Sequence, residues 1–151
     1  MGFIRDSIHG DLHLTDFELE ILDTVEMQRL RRIKQLGFTN LIYPGANHTR
    51  FEHSIGTLHL ADKLARRLNL DSEIIELLRI CGLLHDIGHT PFSHVTERVL
   101  KNDHETNTKE IIKNSTITDK LNKKIDPELV VNIVDGKKKK KKIITGDLDV
   151  D

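Results

Sequence analysis

The chain has 151 residues, enough for one domain that buries roughly two thirds of the surface its unfolded form would expose. Hydrophobic residues make up 37% of it but aromatic residues only 4%, with no tryptophan, so leucine and isoleucine carry the apolar content and favour a mostly α class over an all-β sandwich. A net charge of -1 argues neither for nor against a polyanionic partner, and the single cysteine excludes an intrachain disulfide and suits a reducing cytoplasm.

In chain order, residues 3–14 show short apolar alternation, and Gly10 can take a positive φ, which predicts an extended segment or hairpin. The same stretch carries charges at Arg5, Asp6 and Asp11 and no long apolar run. It therefore reads as neither a signal peptide nor a membrane span, and a soluble, cytoplasmic protein is expected. Thr15 to Glu18 spells the capping box T-x-x-E, and apolar positions from Phe17 to Ile33 follow at helical spacing, predicting a first helix over about 15–36 that stops at Gly37. After a loop punctuated by Pro44 and Gly45, a second helix is expected over about 51–68.

Asp71 is the expected N-cap of a third helix, in which Ile74, Leu77, Leu78, Cys81, Leu84 and His85 recur at three- and four-residue steps. That spacing puts His85 on the core-facing stripe and makes Cys81 a small buried thiol. Gly88 and Pro91 then break the pattern. Shorter helices are expected over about 94–100 and 106–113, and another begins at Asp126-Pro127, an N-cap followed by the favoured N1 proline. The tail reads as a lysine-rich turn, a short strand and an acidic ending. Its lysine run, 137–142, would attract phosphate, but no aromatic residue is interleaved for base stacking, so a solvated turn outweighs a nucleic-acid partner.

The chemistry concentrates in residues 83–94, LLHDIGHTPFSH, within a chain of nine histidines. His85 and Asp86 are adjacent, and neighbours on a regular helix project about 100° apart, so both can reach one ion only near a helix end. Gly88 is expected to supply that end. A histidine on an apolar stripe is more often an ordinary core residue than a ligand. Asp86 shifts the balance, because a carboxylate at the buried edge of a helix needs a cation or several donors to offset its desolvation. Further ligands must come from elsewhere in the fold. His53 on the second helix is the best-placed imidazole, and the alternating Asp147, Asp149 and Asp151 offer a carboxylate. Imidazole plus carboxylate with open positions suits a divalent ion, with manganese, iron, magnesium, zinc, cobalt and nickel undistinguished. Arg50 lies one turn before His53 on the same face, where its guanidinium fork can grip a phosphate beside the ion. The plainer alternative is a solvated arginine paired with Glu52 or Asp62.

The blocks DSIHGDLHLTDFELEILDT, QRLRRIKQLG, YPGANHTRFEHSIG, LLHDIGHTPFSH, His104-Glu105 and GDLDVD occur together and in this order. In this the chain resembles the HD-domain phosphohydrolases, and among them the deoxynucleoside triphosphate triphosphohydrolases related to the SAM-and-HD-domain enzyme. The resemblance spans residues 6–151 and implies a mostly α HD-domain helical bundle with short N-terminal and C-terminal β segments. It implies a metal site formed by His53, His85, Asp86 and Asp151, the last matching the second aspartate of the family's D-x-D pair. It also implies acid–base roles for His104, the first choice as proton donor to the 5′ oxygen, and for His94 with Glu97 one turn later. His89 would sit near the phosphates, Gln35 would read the sugar's 3′ hydroxyl, and Leu36 would crowd the 2′ position. Relatives continue past the equivalent of Asp151 into helices that complete the nucleotide pocket, so residues 1–151 are expected to be the N-terminal part of such a domain. A homo-oligomer is expected on the same ground.

Overall fold

The computed structural model describes residues 2–92 and 103–135. Among the described residues, seven α-helices and two strands form a helical bundle with a hairpin at its N-terminal end. Strands β1 (Gly2–Asp6) and β2 (Gly10–Leu14) pair antiparallel with Asp6 opposite Gly10. The Asp6 carboxylate accepts from the backbone N–H groups of Ile8 and His9 at 2.9 and 2.8 Å, and Gly10 takes φ +77°, so the expected hairpin closes around an aspartate-anchored turn.

The single helix expected over 15–36 is in fact broken. Helix α1 (Asp16–Leu22) begins at the Thr15/Glu18 capping box and stops at Asp23. A second N-cap, Thr24, then starts the short α2 (Val25–Gln28), followed by a 3₁₀ turn over 29–32. The Thr24 hydroxyl donates to Ile21 O at 2.7 Å and accepts from Met27 N at 3.4 Å, stopping one helix while starting the next. Hydrophobic spacing alone did not reveal the break, because Ile21, Leu22, Met27, Leu30 and Ile33 all still point into one core. Thr24 is 6% exposed, so Thr24→Ala is expected to cost about 1 kcal/mol. Thermal denaturation should show this as a drop of roughly 3 °C.

Helices α3 (Arg50–Arg67) and α4 (Ser72–Leu84) form the centre of the bundle. A capping box starts α3, with Thr49 accepting from Glu52 N and Glu52 accepting in return from Thr49 N. Asp71 occupies the N-cap of α4 as expected, but its side chain makes no capping bond. Phe51, Ile55, Leu58, Ala61 and Ala65 of α3 and Leu77, Leu78, Ile80, Cys81 and Leu84 of α4 are buried in one core, which confirms Cys81 as an interior thiol. The two backbones meet at Gly82, where an added Cβ would lie 3.1 Å from Leu58 N and Thr57 O. This close approach, one turn from His53 on α3 and three residues from His85, brings the two imidazoles together.

Helices α5 (His104–Lys113), α6 (Thr116–Leu121) and α7 (Pro127–Val134) close the other side of the bundle. Asp103 caps α5 through the N–H groups of Glu105 and Thr106, two residues earlier than the sequence reading placed the helix start, and Asp126-Pro127 opens α7 as expected. Helix α6 was not anticipated; its signal is the Ser115/Thr118 capping box. Arg79 of α4 ties the layers together. It grips the fully buried Glu18 of α1 through two bonds of 2.6 and 2.8 Å, reaches Asp62 of α3 at 3.1 Å, and donates to His13 O of the hairpin. No helix among the described residues is long and apolar enough to cross a membrane. The expected helix over 94–100, the lysine run and the C-terminal β segment lie outside the described residues, as do His94, Glu97 and Asp151.

Candidate metal centre

His53 sits in the first turns of α3 and His85 caps the C-terminal end of α4, with Asp86 following. The expected end at Gly88 thus comes earlier, at Leu84, and this lets the adjacent His85 and Asp86 face the same space. His53 Nε2 and His85 Nε2 are 3.2 Å apart, Asp86 Oδ2 is 3.6 Å from His53 Nε2, and Asp86 Oδ1 is 3.7 Å from His85 Nε2. Two donors bonded at about 2.1 Å to a common ion, at angles between octahedral and tetrahedral, would stand about 3.0–3.4 Å apart. One donor atom from each of the three residues falls within 4.8 Å of the other two.

The imidazole pair stands at the spacing for a common ion and the Asp86 oxygens lie a few tenths of an ångström beyond it; the chemistry of the donor set also suits a cation. His85 Nδ1 lies 2.8 Å from Gly82 O, an oxygen that can only accept, so Nδ1 carries the proton and the Nε2 lone pair is left for a ligand. Burial of Asp86 would by itself raise its carboxyl pKa. The hydrogen bond from His89 and the charge of Arg50 outweigh that, holding the group well below the usual carboxylate range and ionised at neutral pH. Asp86 is 7% exposed, and a carboxylate so buried is stable only among cationic and donor groups.

Arg50 supplies one of them. Its Nη1 donates to Asp86 Oδ2, its Nη2 reaches Gln35 O at 3.5 Å, and the residue is 2% exposed. The alternative of a solvated arginine paired with Glu52 or Asp62 is excluded, because Glu52 serves the α3 cap and Asp62 pairs with Arg66 and Arg79. Gln35 is tied beside Arg50 by its own N–H to His48 O at 3.1 Å, while Leu36 is half exposed.

His89 Nε2 lies 3.3 Å from the other carboxylate oxygen of Asp86, and its ring stacks on that of His104, with centroids 4.1 Å apart and planes 11° from parallel. Burial, joined by the nearby positive charge of Arg50, lowers the His89 pKa against the pull of Asp86 and favours the neutral imidazole. His104, the first residue of α5, is less buried than His89. The described residues therefore bring His53, His85, Asp86, Arg50, His89, His104 and Gln35 into one neighbourhood. The sequence reading missed Arg29, Asn107 and Thr108, whose side chains bond the backbone of residues 85–89.

Comparison with known proteins agrees with this geometry. Residues 50–149 match the HD domain family. The chain is 48% identical over 151 residues to an uncharacterised protein of Methanocaldococcus jannaschii, covering 100% of this chain and 32% of that one. It is 45% identical over 101 residues to a Dictyostelium discoideum protein named deoxynucleoside triphosphate triphosphohydrolase SAMHD1 homolog, covering 62% of this chain and 20% of that one. Among solved structures, a phosphohydrolase of Bacteroides thetaiotaomicron superimposes with a TM-score of 0.87 at 30% identity, covering 99% of this chain and 39% of that one. The chain thus spans a third or less of the length of these two sequence relatives. With a histidine from α3 meeting a His-Asp pair at the end of α4, and the family match running through both helices, the chain belongs to the HD domain family.

Proposed function

We propose that the protein is a metal-dependent phosphohydrolase that cleaves deoxynucleoside triphosphates into deoxynucleoside and inorganic triphosphate. The observation that carries this reading is the convergence of two imidazole nitrogens and one carboxylate beside a buried arginine and a stacked pair of histidines. The names of the Dictyostelium relative and the Bacteroides structure support it.

His53, His85 and Asp86 would hold a divalent ion, with Asp151 as the fourth protein ligand. Such an ion lowers the pKa of water and neutralises phosphate charge. In the proposed reaction a water oxygen bonds to the α-phosphorus, the bond from that phosphorus to the 5′ oxygen breaks, and the departing oxygen takes a proton. Arg50 has five N–H donors, so its bond to Asp86 is compatible with another to a phosphate oxygen. His89 adds a second contact to phosphate. His104, on the more exposed side of the stack, gives the proton to the 5′ oxygen; His94, with Glu97 as the carboxylate that would orient it, is the second choice. Gln35 reads the 3′ hydroxyl and Leu36 crowds a 2′ hydroxyl, selecting deoxyribose.

The test is to incubate the intact protein with Mn²⁺ and each deoxynucleoside triphosphate and to identify products by ³¹P NMR. Inorganic triphosphate is the expected product. Pyrophosphate with a nucleoside monophosphate would overturn the proposed bond cleavage, and a protein that takes up no metal would point to a non-catalytic nucleotide-binding module. His104→Ala is expected to lower turnover on the order of a hundredfold while leaving metal uptake unchanged, which metal analysis of the purified variant checks.

A further inference from the structure

The backbone that follows the His-Asp pair is held by side chains from distant parts of the chain, and one of them is a cation from the 3₁₀ turn after α2. Residues 85–89 are interior: His85 is 6% exposed, Asp86 7%, Ile87 0% and His89 2%. A helix end leaves its last carbonyls without helical partners, and buried carbonyls need others. Here the carbonyls from 85 to 89 are all engaged. Thr108 Oγ1 donates to His85 O at 3.4 Å, His89 N to Asp86 O at 3.2 Å, and Asn107 Nδ2 to Gly88 O at 3.3 Å. The remaining two belong to Arg29, whose Nη1 donates to His89 O at 2.7 Å and whose Nη2 donates to Ile87 O.

We infer that Arg29 is a positioning residue for the metal centre: its guanidinium fork clamps the carbonyls of Ile87 and His89 and so fixes where the His89 imidazole meets Asp86. The inference rests on the metal-site reading above. A planar fork with two parallel N–H groups matches two carbonyls two residues apart, which a single ammonium cannot do. The clamp reaches the site in two short steps. Arg29 fixes the His89 main chain, and the His89 ring lies 3.3 Å from the Asp86 oxygen not bonded by Arg50. Partners that orient a metal ligand through hydrogen bonds typically govern affinity by 10–100-fold. An arginine that merely joined the α2 region to the bundle would act on overall stability and leave a folded protein's metal affinity unchanged.

The experiment is Co²⁺ titration of the intact wild type, Arg29→Gln and Arg29→Lys, reading the visible absorption of the bound ion, with amide hydrogen exchange alongside. Arg29→Gln is expected to bind cobalt roughly tenfold or more weakly with an altered spectrum, and to exchange faster at residues 87–90 before any other buried segment. Arg29→Lys, which keeps the charge but offers its N–H groups from a single nitrogen rather than a planar fork, should fall between the two. A folded Arg29→Gln with wild-type affinity and spectrum would overturn the inference. If that variant does not fold, Arg29→Lys decides: a weakening of several-fold supports the clamp and wild-type binding overturns it. A wild type that takes up no cobalt overturns the metal reading and this inference with it, so the two failures are distinguishable.

Discussion

Asp86→Asn is expected to abolish metal uptake and, with it, the hydrolysis proposed above. Removing a group that only orients a ligand typically costs 10–100-fold in affinity, so loss of an ionised ligand should cost more than roughly 100-fold. The substitution also strands Arg50, whose side chain is 3% exposed and whose Nη1 donates to the lost carboxylate. Breaking a buried pair on one side costs about 3–5 kcal/mol, so the variant should also melt well below the wild type. These two consequences separate in the double variant Arg50→Gln/Asp86→Asn, where no buried charge is left unpaired. Stability should largely return while metal uptake does not. Thermal melts and metal analysis of the three proteins check this, and an Asp86→Asn that binds metal with near wild-type affinity would remove Asp86 from the ligand set.

The parts of this site legible in the sequence are those set by local chemistry. The T-x-x-E and Asp-Pro caps announced α1 and α7, the three- and four-residue steps of α4 placed His85 on the inner face, and the adjacency of His85 and Asp86 pointed to a helix end. What could not be read was long-range. The pairing of Arg50 with Asp86 spans 36 positions and the contact of Arg29 with Ile87 spans 58. Nothing in the local pattern separates such arginines from solvated ones such as Arg66, which is 65% exposed in its side chain. The break at Thr24 was hidden for a different reason: a hydroxyl that caps leaves the apolar pattern intact. The second capping box, Thr49/Glu52, was readable by the same rule as the first, and would have placed the start of α3 at Arg50.

Gly88 illustrates how a residue can be noticed for one reason and be required for another. Its place after the His-Asp pair suggested a helix stop, yet α4 has already ended at Leu84, and Gly88 is not among the glycines with positive φ. Its requirement is steric. A Cβ added there would lie 2.3 Å from His104 O, 2.3 Å from Thr108 N and 2.5 Å from Thr108 Oγ1. Two of these atoms belong to the α5 backbone, so relief requires moving the start of α5 away from the turn rather than rotating a side chain. That movement would break the Gly88 N to Thr108 Oγ1 bond of 2.9 Å and the Asn107 contact to Gly88 O, and would separate the stacked rings of His89 and His104. Overpacking costs about 1–3 kcal/mol and each buried polar group left without a partner about 1–3 more. Gly88→Ala is therefore expected to lose roughly 4 kcal/mol, a large part of the 5–15 kcal/mol typical of a domain, and to melt about 10 °C or more below the wild type. Gly45→Ala is the control, since no atom lies within 4 Å of its added Cβ, and it should change the melting temperature by no more than about 2 °C. At temperatures where Gly88→Ala remains folded, the proposed turnover should fall with the displacement of His104, while metal uptake, which the proposal assigns to His53, His85 and Asp86, should persist. Melting within about 2 °C of the wild type would show that α5 yields without cost and that its docking does not set the position of His104.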